Sequence, residues 1–240
     1  MKNTISEIRN AVMNPRMLAC LMLGLALLYQ PEFYLRQMQS SFGEMDLYNA
    51  MQTSLGLGAY VMLATVLCAI PYAERYCWEN KTRYQLYAQY RQGKCSYIAG
   101  KTCATAISGG IAIAAPFMIF CLIQLCIAPQ EEMTSDLMFI VLQEIGLFFM
   151  YGSAWSTLAL GVSTFTSSPL VVLAFPICIE RGAQLLAVAF QCDWLRLSDA
   201  IAYQCGSVYS IKQIAFIDGF LLLTGTLLFV IRMVIKENES

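Results

Sequence analysis

The chain contains no histidine among its 240 residues. Without imidazole, the usual zinc ligand sets, the Ser-His-Asp triad and the Cys-His pair are all excluded. Charged residues are also scarce, at 13% of the chain, whereas a soluble domain has about 25%. Hydrophobic residues make up 58% instead. This balance predicts an all-α polytopic membrane protein.

Cysteine is plentiful, but the ten cysteines contain no CxxC pair, so the sequence supports no metal or redox motif. Most of them lie in apolar runs, where cysteine behaves as a small hydrophobic residue. Only Cys192 and Cys205 fall in a segment that we expect outside the membrane. A disulfide between them would be compatible with an oxidising compartment, and free thiols are the alternative.

Six apolar stretches approach or exceed the ~20 residues that a helix needs to cross a bilayer. They predict one transmembrane domain over residues 1–240, with spans at 17–35, 53–72, 98–128, 137–165, 169–190 and 211–235. The first span is the least regular, because Pro31 and Glu32 interrupt it. The sixth is entered through Lys212 and Asp218.

Basic residues are concentrated on one side of these six spans. Three lie before the first span, six between the second and third, and two at the end of the sixth, whereas three lie on the other side. Because cytoplasmic loops are enriched in Lys and Arg, this asymmetry places both termini in the cytoplasm.

Two amphipathic segments accompany the predicted spans. Residues 1–16 carry apolar residues at helical spacing before Pro15, which favours an interfacial elbow helix. The alternative is an ordinary positively charged leader. Residues 191–210 favour one or two short helices that re-enter the outer leaflet, and a plain amphipathic surface loop is the alternative.

Three ionisable residues, Glu144, Glu180 and Arg181, fall within predicted spans. Such residues cost about 2.5–3.5 kcal/mol on insertion scales, so they usually face a partner or water. Adjacent residues on a helix point ~100° apart, so we expect Arg181 to pair with Glu144 rather than Glu180. The pair would line a translocation path or be purely structural. Alternatively, the fifth span ends early and turns back.

Residues 73–101 separate the second and third spans and combine basic with aromatic side chains. The basic residues are Arg75, Lys81, Arg83, Arg91, Lys94 and Lys101, and the aromatic ones are Tyr76, Trp78, Tyr84, Tyr87, Tyr90 and Tyr97. This composition predicts a cytoplasmic segment that lies on lipid or docks a soluble partner.

Gly100-Lys101-Thr102 is not a P-loop, because position 95 is Cys where that motif requires Gly. We expect Lys101 to extend toward the headgroups instead.

Residues 71–110 also carry a family pattern. Its members are Pro71-Tyr72-Ala73, Trp78-Glu79, Arg83-Tyr84, Arg91, Tyr97, Lys101 and Ser108-Gly109-Gly110. This pattern resembles the loop between spans two and three of type-2 ABC transporter permeases. It is most similar to small bacterial six-span permeases found beside peptide or bacteriocin ABC systems.

The resemblance implies that residues 73–97 contain a coupling helix that docks on an ATPase subunit. Glu79, Arg83 and Tyr84 would then contact the ATPase, Arg91 would steady the loop, and Lys101 would anchor the third span at the interface.

The same resemblance implies the partners and the location. Two ABC ATPase subunits would hold ATP and Mg²⁺, so this chain would need no cofactor. A second permease copy or a homologue would complete the pathway in the bacterial cytoplasmic membrane, with no role for nucleic acid. The exported substrate would be a peptide or another amphipathic, lipid-like molecule.

Two other classes of function remain open from the residues. One is a secondary transporter or channel that uses Glu144, Glu180 and Arg181 as its coupling site. The other is a membrane scaffold or immunity protein that transports nothing.

Overall fold

The computed structural model describes residues 2–38, 51, 54–55, 59–82, 84–127, 135–192 and 210–238, and every regular element in these ranges is helical. The helices are α1 (Lys2–Val12), α2 (Pro15–Met38), α3 (Ala59–Ala69), α4 (Arg75–Lys81), α5 (Tyr84–Gln92), α6 (Lys94–Ile127), α7 (Ser135–Ser163), α8 (Pro169–Phe190) and α9 (Ile211–Asn238). The predicted all-α class is confirmed for this part of the chain.

Four of these helices, α6 to α9, are long and apolar enough to cross a membrane. The α1–α2 pair passes the same test if it counts as one span bent by 46°. The described residues therefore contain four to five candidate spans, whereas the sequence predicts six. Helix α3 is apolar but has only 11 residues, and residues 52–53 and 56–58 before it lie outside the described ranges.

Prolines and glycines account for several helix boundaries. Pro15 begins α2, in the first turn, where a proline leaves no intrahelical hydrogen bond unmade. Gly93, with φ of +79°, separates α5 from α6 in a left-handed conformation that glycine adopts without steric cost.

Helix α8, which corresponds to the predicted fifth span, continues unbroken through Glu180 and Arg181 to Phe190. The alternative in which the fifth span ends early is therefore wrong.

Helix α7 is the centre of the bundle. It packs against α3, α4, α6, α8 and α9, and residues 151–164 are all buried. Trp155 and Tyr151 are among the largest side chains that are fully enclosed. Because this second half of α7 is buried on all sides, it fixes the positions of the neighbouring helices.

Small residues bring α6 and α7 into backbone contact. A Cβ atom added at Gly152 would lie 2.4 Å from the carbonyl oxygen of Gly109. At the same crossing, the Ser156 hydroxyl donates a hydrogen bond to the Thr105 carbonyl at 3.0 Å. Small and hydroxyl side chains are the usual means by which membrane helices approach closely.

We predict that Gly152→Ala destabilises the protein by about 1–3 kcal/mol, as overpacking of a tight core does. The new methyl group meets backbone atoms, which cannot move aside as a flexible side chain would. Gly146→Ala on the same helix is the matched control, because nothing lies within 4 Å of its added Cβ. Thermal unfolding in detergent measures both variants, and equal unfolding temperatures would contradict the close α6–α7 approach.

Candidate functional site

Helix α4 is short, but its inner face is packed on the bundle. A turn over residues 70–74 leads into it from α3. Ala73 and Cys77 pack with Ala69 of α3, Ala159 of α7 and Val172 of α8. The start of the basic and aromatic stretch is therefore in contact with three different helices.

Tyr76 attaches α4 to α9 as well. Its ring meets Phe229 edge to face, with centroids 5.3 Å apart, and its hydroxyl donates to Sδ of Met233 at 3.1 Å. Burial raises the pKa of Tyr76 to about 12, so the hydroxyl keeps the proton that it donates. A displacement of α4 would consequently displace α9.

A buried charge network lies beneath α4 and consists of Glu7, Tyr72, Glu79, Tyr97 and Lys101. The Lys101 Nζ atom is 2.5 Å from Glu79 Oε1 and 3.6 Å from Glu7 Oε2. It also donates to the Tyr72 hydroxyl at 2.9 Å, which in turn donates to the Glu7 carboxylate. The Tyr97 hydroxyl donates to Glu79 Oε2 at 2.7 Å.

The buried charge network links α1, the turn after α3, α4 and α6. Lys101 is only 1% exposed and Glu79 is 6% exposed. Arg75 lies 3.2 Å from Glu79 on the solvent side, one helical turn away on α4. Removing one member of a buried ion pair typically costs 3–5 kcal/mol, because the other charge remains uncompensated. The network therefore fixes where α4 can lie.

The surroundings of two predicted site residues differ from the expectation. Lys101, expected to extend toward lipid headgroups, is buried against Glu79. Glu79, expected to contact an ATPase, is mostly buried but also lines a surface groove, so that contact stays a prediction. The physical reason is that the ends of α4 and α6 converge, which gives Lys101 a carboxylate within the protein. No local sequence signal joins the two residues, since they lie 22 positions apart.

The outer face of α4 and α5 is exposed and aromatic. This aromatic surface consists of Trp78, Lys81, Tyr84, Tyr87, Tyr90 and Arg91, all of which are exposed. Tyr90 is the most accessible, at 92%. Of the predicted contact residues, Tyr84 and Arg91 thus lie on this surface, and Arg83 lies outside the described residues.

A groove opens on this aromatic surface. It has a volume of about 460 Å³ and is lined by Arg75, Trp78, Glu79, Thr82, Tyr84 and Tyr87. The Lys81 ammonium lies 5.9 Å from the centre of the Trp78 ring, a cation–π contact at the edge of the groove. An exposed concavity lined by aromatic rings is suited to binding rather than to catalysis.

The intramembrane residues pair differently from the prediction. The Arg181 guanidinium donates to Gln184 Oε1 at 2.7 Å and lies 3.7 Å from Glu180 Oε1. Adjacent side chains on α8 therefore do approach each other. Among the contacts that the structure gives Arg181, the expected one to Glu144 does not occur. Glu180 Oε2 instead accepts a hydrogen bond from Thr65 of α3 at 3.3 Å.

The remaining predicted sites lie at the limits of the described residues. Cys192 is a free, half-buried thiol, and Cys205 lies outside the described ranges together with residues 193–209. Within the described ranges, no group of three or more His, Cys, Asp or Glu side chains could hold a metal ion.

Comparison of the chain with protein-family models, curated proteins and solved structures gives no match in any of the three.

We predict that Lys101→Met destabilises the protein by up to about 3–5 kcal/mol, because Glu79 and Glu7 lose their buried cation and only Arg75, on the solvent side, remains beside Glu79. Adding Glu79→Gln to that variant should restore part of the loss. Lys81→Met is the matched control, since Lys81 is exposed. Thermal unfolding in detergent is measured for the wild type, for each single variant and for the double variant. Additive losses of stability from the two substitutions would show that the pair is not coupled.

Proposed function

We propose that this chain is the membrane-spanning permease subunit of an ATP-driven ABC transporter. A soluble ATPase subunit would dock on the aromatic surface of α4 and α5. The observation that carries the proposal is the difference between the two faces of the α4–α5 segment. Its inner face is fixed to the bundle by the buried charge network, while its outer face presents a grooved aromatic surface.

A coupling element needs both properties. It must bind its partner, and it must be attached rigidly enough to pass the partner's motion to the spans. Here α4 packs with α7, α8 and α9 through Ala73, Tyr76 and Cys77. Movement of the partner would therefore reach three candidate spans directly.

The chemistry of the aromatic surface favours a protein partner. Tyr, Trp and Arg are enriched at protein interfaces and at their energetic hot spots. Trp78, Tyr84 and Tyr87 line one shallow, open groove together with Arg75 and Glu79. The lipid-surface alternative becomes an outcome of the test.

Contacts at the α4–α5 end also support the proposed placement of both termini on one side of the membrane, the cytoplasmic one. Arg16, at the start of α2, is ion-paired with Glu74, which places the α1–α2 junction at this end. Met233, in the last part of α9, lies here too, against Tyr76. Both chain ends on one side require an even number of spans, which six satisfies. Helix α1 is then the elbow helix.

The rest of the proposal follows from the family resemblance. Two ATPase subunits and a second permease copy or homologue would complete the transporter in a bacterial cytoplasmic membrane. The substrate would be a peptide or another amphipathic molecule, moved outward. Residues 191–210, proposed as re-entrant helices, lie outside the described ranges.

Reversing two charges on the aromatic surface tests the docking. We expect Lys81→Glu with Arg91→Glu to reduce co-purification of an ABC ATPase from native membranes at least tenfold, because two exposed cations become anions. The matched control is Lys212→Glu, an exposed lysine on the second residue of α9. Mild-detergent pull-down with quantitative mass spectrometry measures the ATPase recovered with each variant.

Recovery of an ATPase with wild type and control, but not with the double variant, supports the proposal. Absence of any ATPase from intact wild-type protein would overturn it and favour a secondary transporter or scaffold. Weaker binding of anionic lipid by the detergent-purified double variant, without a change in bound ATPase, would identify the surface as a lipid contact.

A further inference from the structure

Asp218 is the most isolated charged group that the structure describes. It is 2% exposed, and neither carboxylate oxygen has a hydrogen-bond partner among the described residues. The sequence places it at the entry of the sixth span, but the structure encloses it within the bundle. An ionised carboxylate in an apolar interior is very costly unless something compensates its charge.

Helices α7 and α9 run parallel, so the position of Asp218 along the bundle can be found from the contacts between these two helices. Near their beginnings, Leu147 packs with Ile214. Further along, a Cβ atom added at Gly161 would lie 2.8 Å from the Gly225 carbonyl oxygen. The two helices therefore stay in contact over this whole length.

Asp218 lies four residues after Ile214, and Tyr151 lies four residues after Leu147. The shared register brings Asp218 and Tyr151 to the same level, ~6 Å along each helix from the Leu147–Ile214 contact. Tyr151 is 1% exposed. Its side chain interacts electrostatically with Asp218.

Helix α8 brings Glu180 to this level from the other side of α7. Ala159 packs with Val172, and the two helices run antiparallel on either side of the turn at residues 164–168. Tyr151 is eight residues before Ala159, and Glu180 is eight residues after Val172. Tyr151 accordingly interacts electrostatically with Glu180 as well as with Asp218.

Glu180 and Asp218 differ in the groups that can balance their charges. Glu180 has Arg181 at 3.7 Å and a hydrogen bond from Thr65. The Cys68 thiol of α3 also faces Glu180. Asp218 has no cation within ion-pair distance in the described part of the chain. One proton on Asp218 would remove the uncompensated charge.

We propose that Asp218, Tyr151 and Glu180 form a proton-binding site in the middle of the helical bundle, with the proton held on Asp218. Glu180 lies beside Arg181, and Tyr151 interacts electrostatically with both carboxyl groups. The site is built on α7, which packs against both α8 and α9. This proposal is based on contacts within the bundle, so it does not depend on the docking of an ATPase.

Infrared spectroscopy of the purified protein in lipid vesicles tests the site. A protonated carboxylic acid gives a carbonyl band that is separate from the carboxylate bands. We expect this band at pH 7 in the wild type and expect Asp218→Asn to remove it. Tyr151→Phe should shift its frequency, because the hydroxyl next to the carboxyl group is lost. Asp136→Asn, a substitution of another aspartate of the chain, serves as the control that leaves the band unchanged.

Labelling with ¹³C-aspartate makes the test independent of any variant's folding. The chain has five aspartates, Asp46, Asp136, Asp193, Asp199 and Asp218, and the label should shift the band at pH 7 in the wild-type protein. A band that keeps its frequency on labelling, or no protonated-acid band from pH 5 to pH 9, would overturn the proposal. The same spectra are obtained whether or not an ATPase binds, so failure of the docking proposal is separately recognisable.

Discussion

The ion pair between Lys101 and Glu79 is the interaction on which the rest of this structure depends. Both side chains are nearly inaccessible to solvent, so the loss of one charge leaves the other without its main partner. Because Lys101 belongs to α6 and Glu79 to α4, the pair fixes the short helix to a long one. Glu7 adds α1 to the same network. Loss of either charge would free the segment that we assign to docking.

Fixing the inner face of α4 determines what its outer face can do. Trp78 and the tyrosines of α5 are left exposed on a segment that cannot move independently of the bundle. A partner that binds them must therefore act on α7, α8 and α9. At the middle of the bundle, Asp218 and Glu180 lie at the level of Tyr151, on the central helix of the same packing. Docking and proton binding would thus occur at two different levels of one connected set of helices.

Part of this arrangement could be predicted from the sequence. Apolar length predicts the long helices, Pro15 marks the start of α2, and residues 73–101 are recognisable from their basic and aromatic composition. The pairing of Lys101 with Glu79 could not be predicted, because it depends on how helices converge across 22 positions. The burial of Asp218 could not be predicted either, because burial by a neighbouring helix leaves no local pattern in the sequence, which instead suggests a position at the entry of the sixth span.

Hydrogen–deuterium exchange of the amides of α4, in wild type and in Lys101→Met, tests the central claim most directly. If the buried ion pair holds α4 on the bundle, these amides exchange slowly in the wild type and much faster in the variant. The amides in the middle of α7 should stay equally protected in both proteins. Equal exchange of α4 in the two proteins would show that the ion pair does not hold this segment, and the account of coupling would then fail.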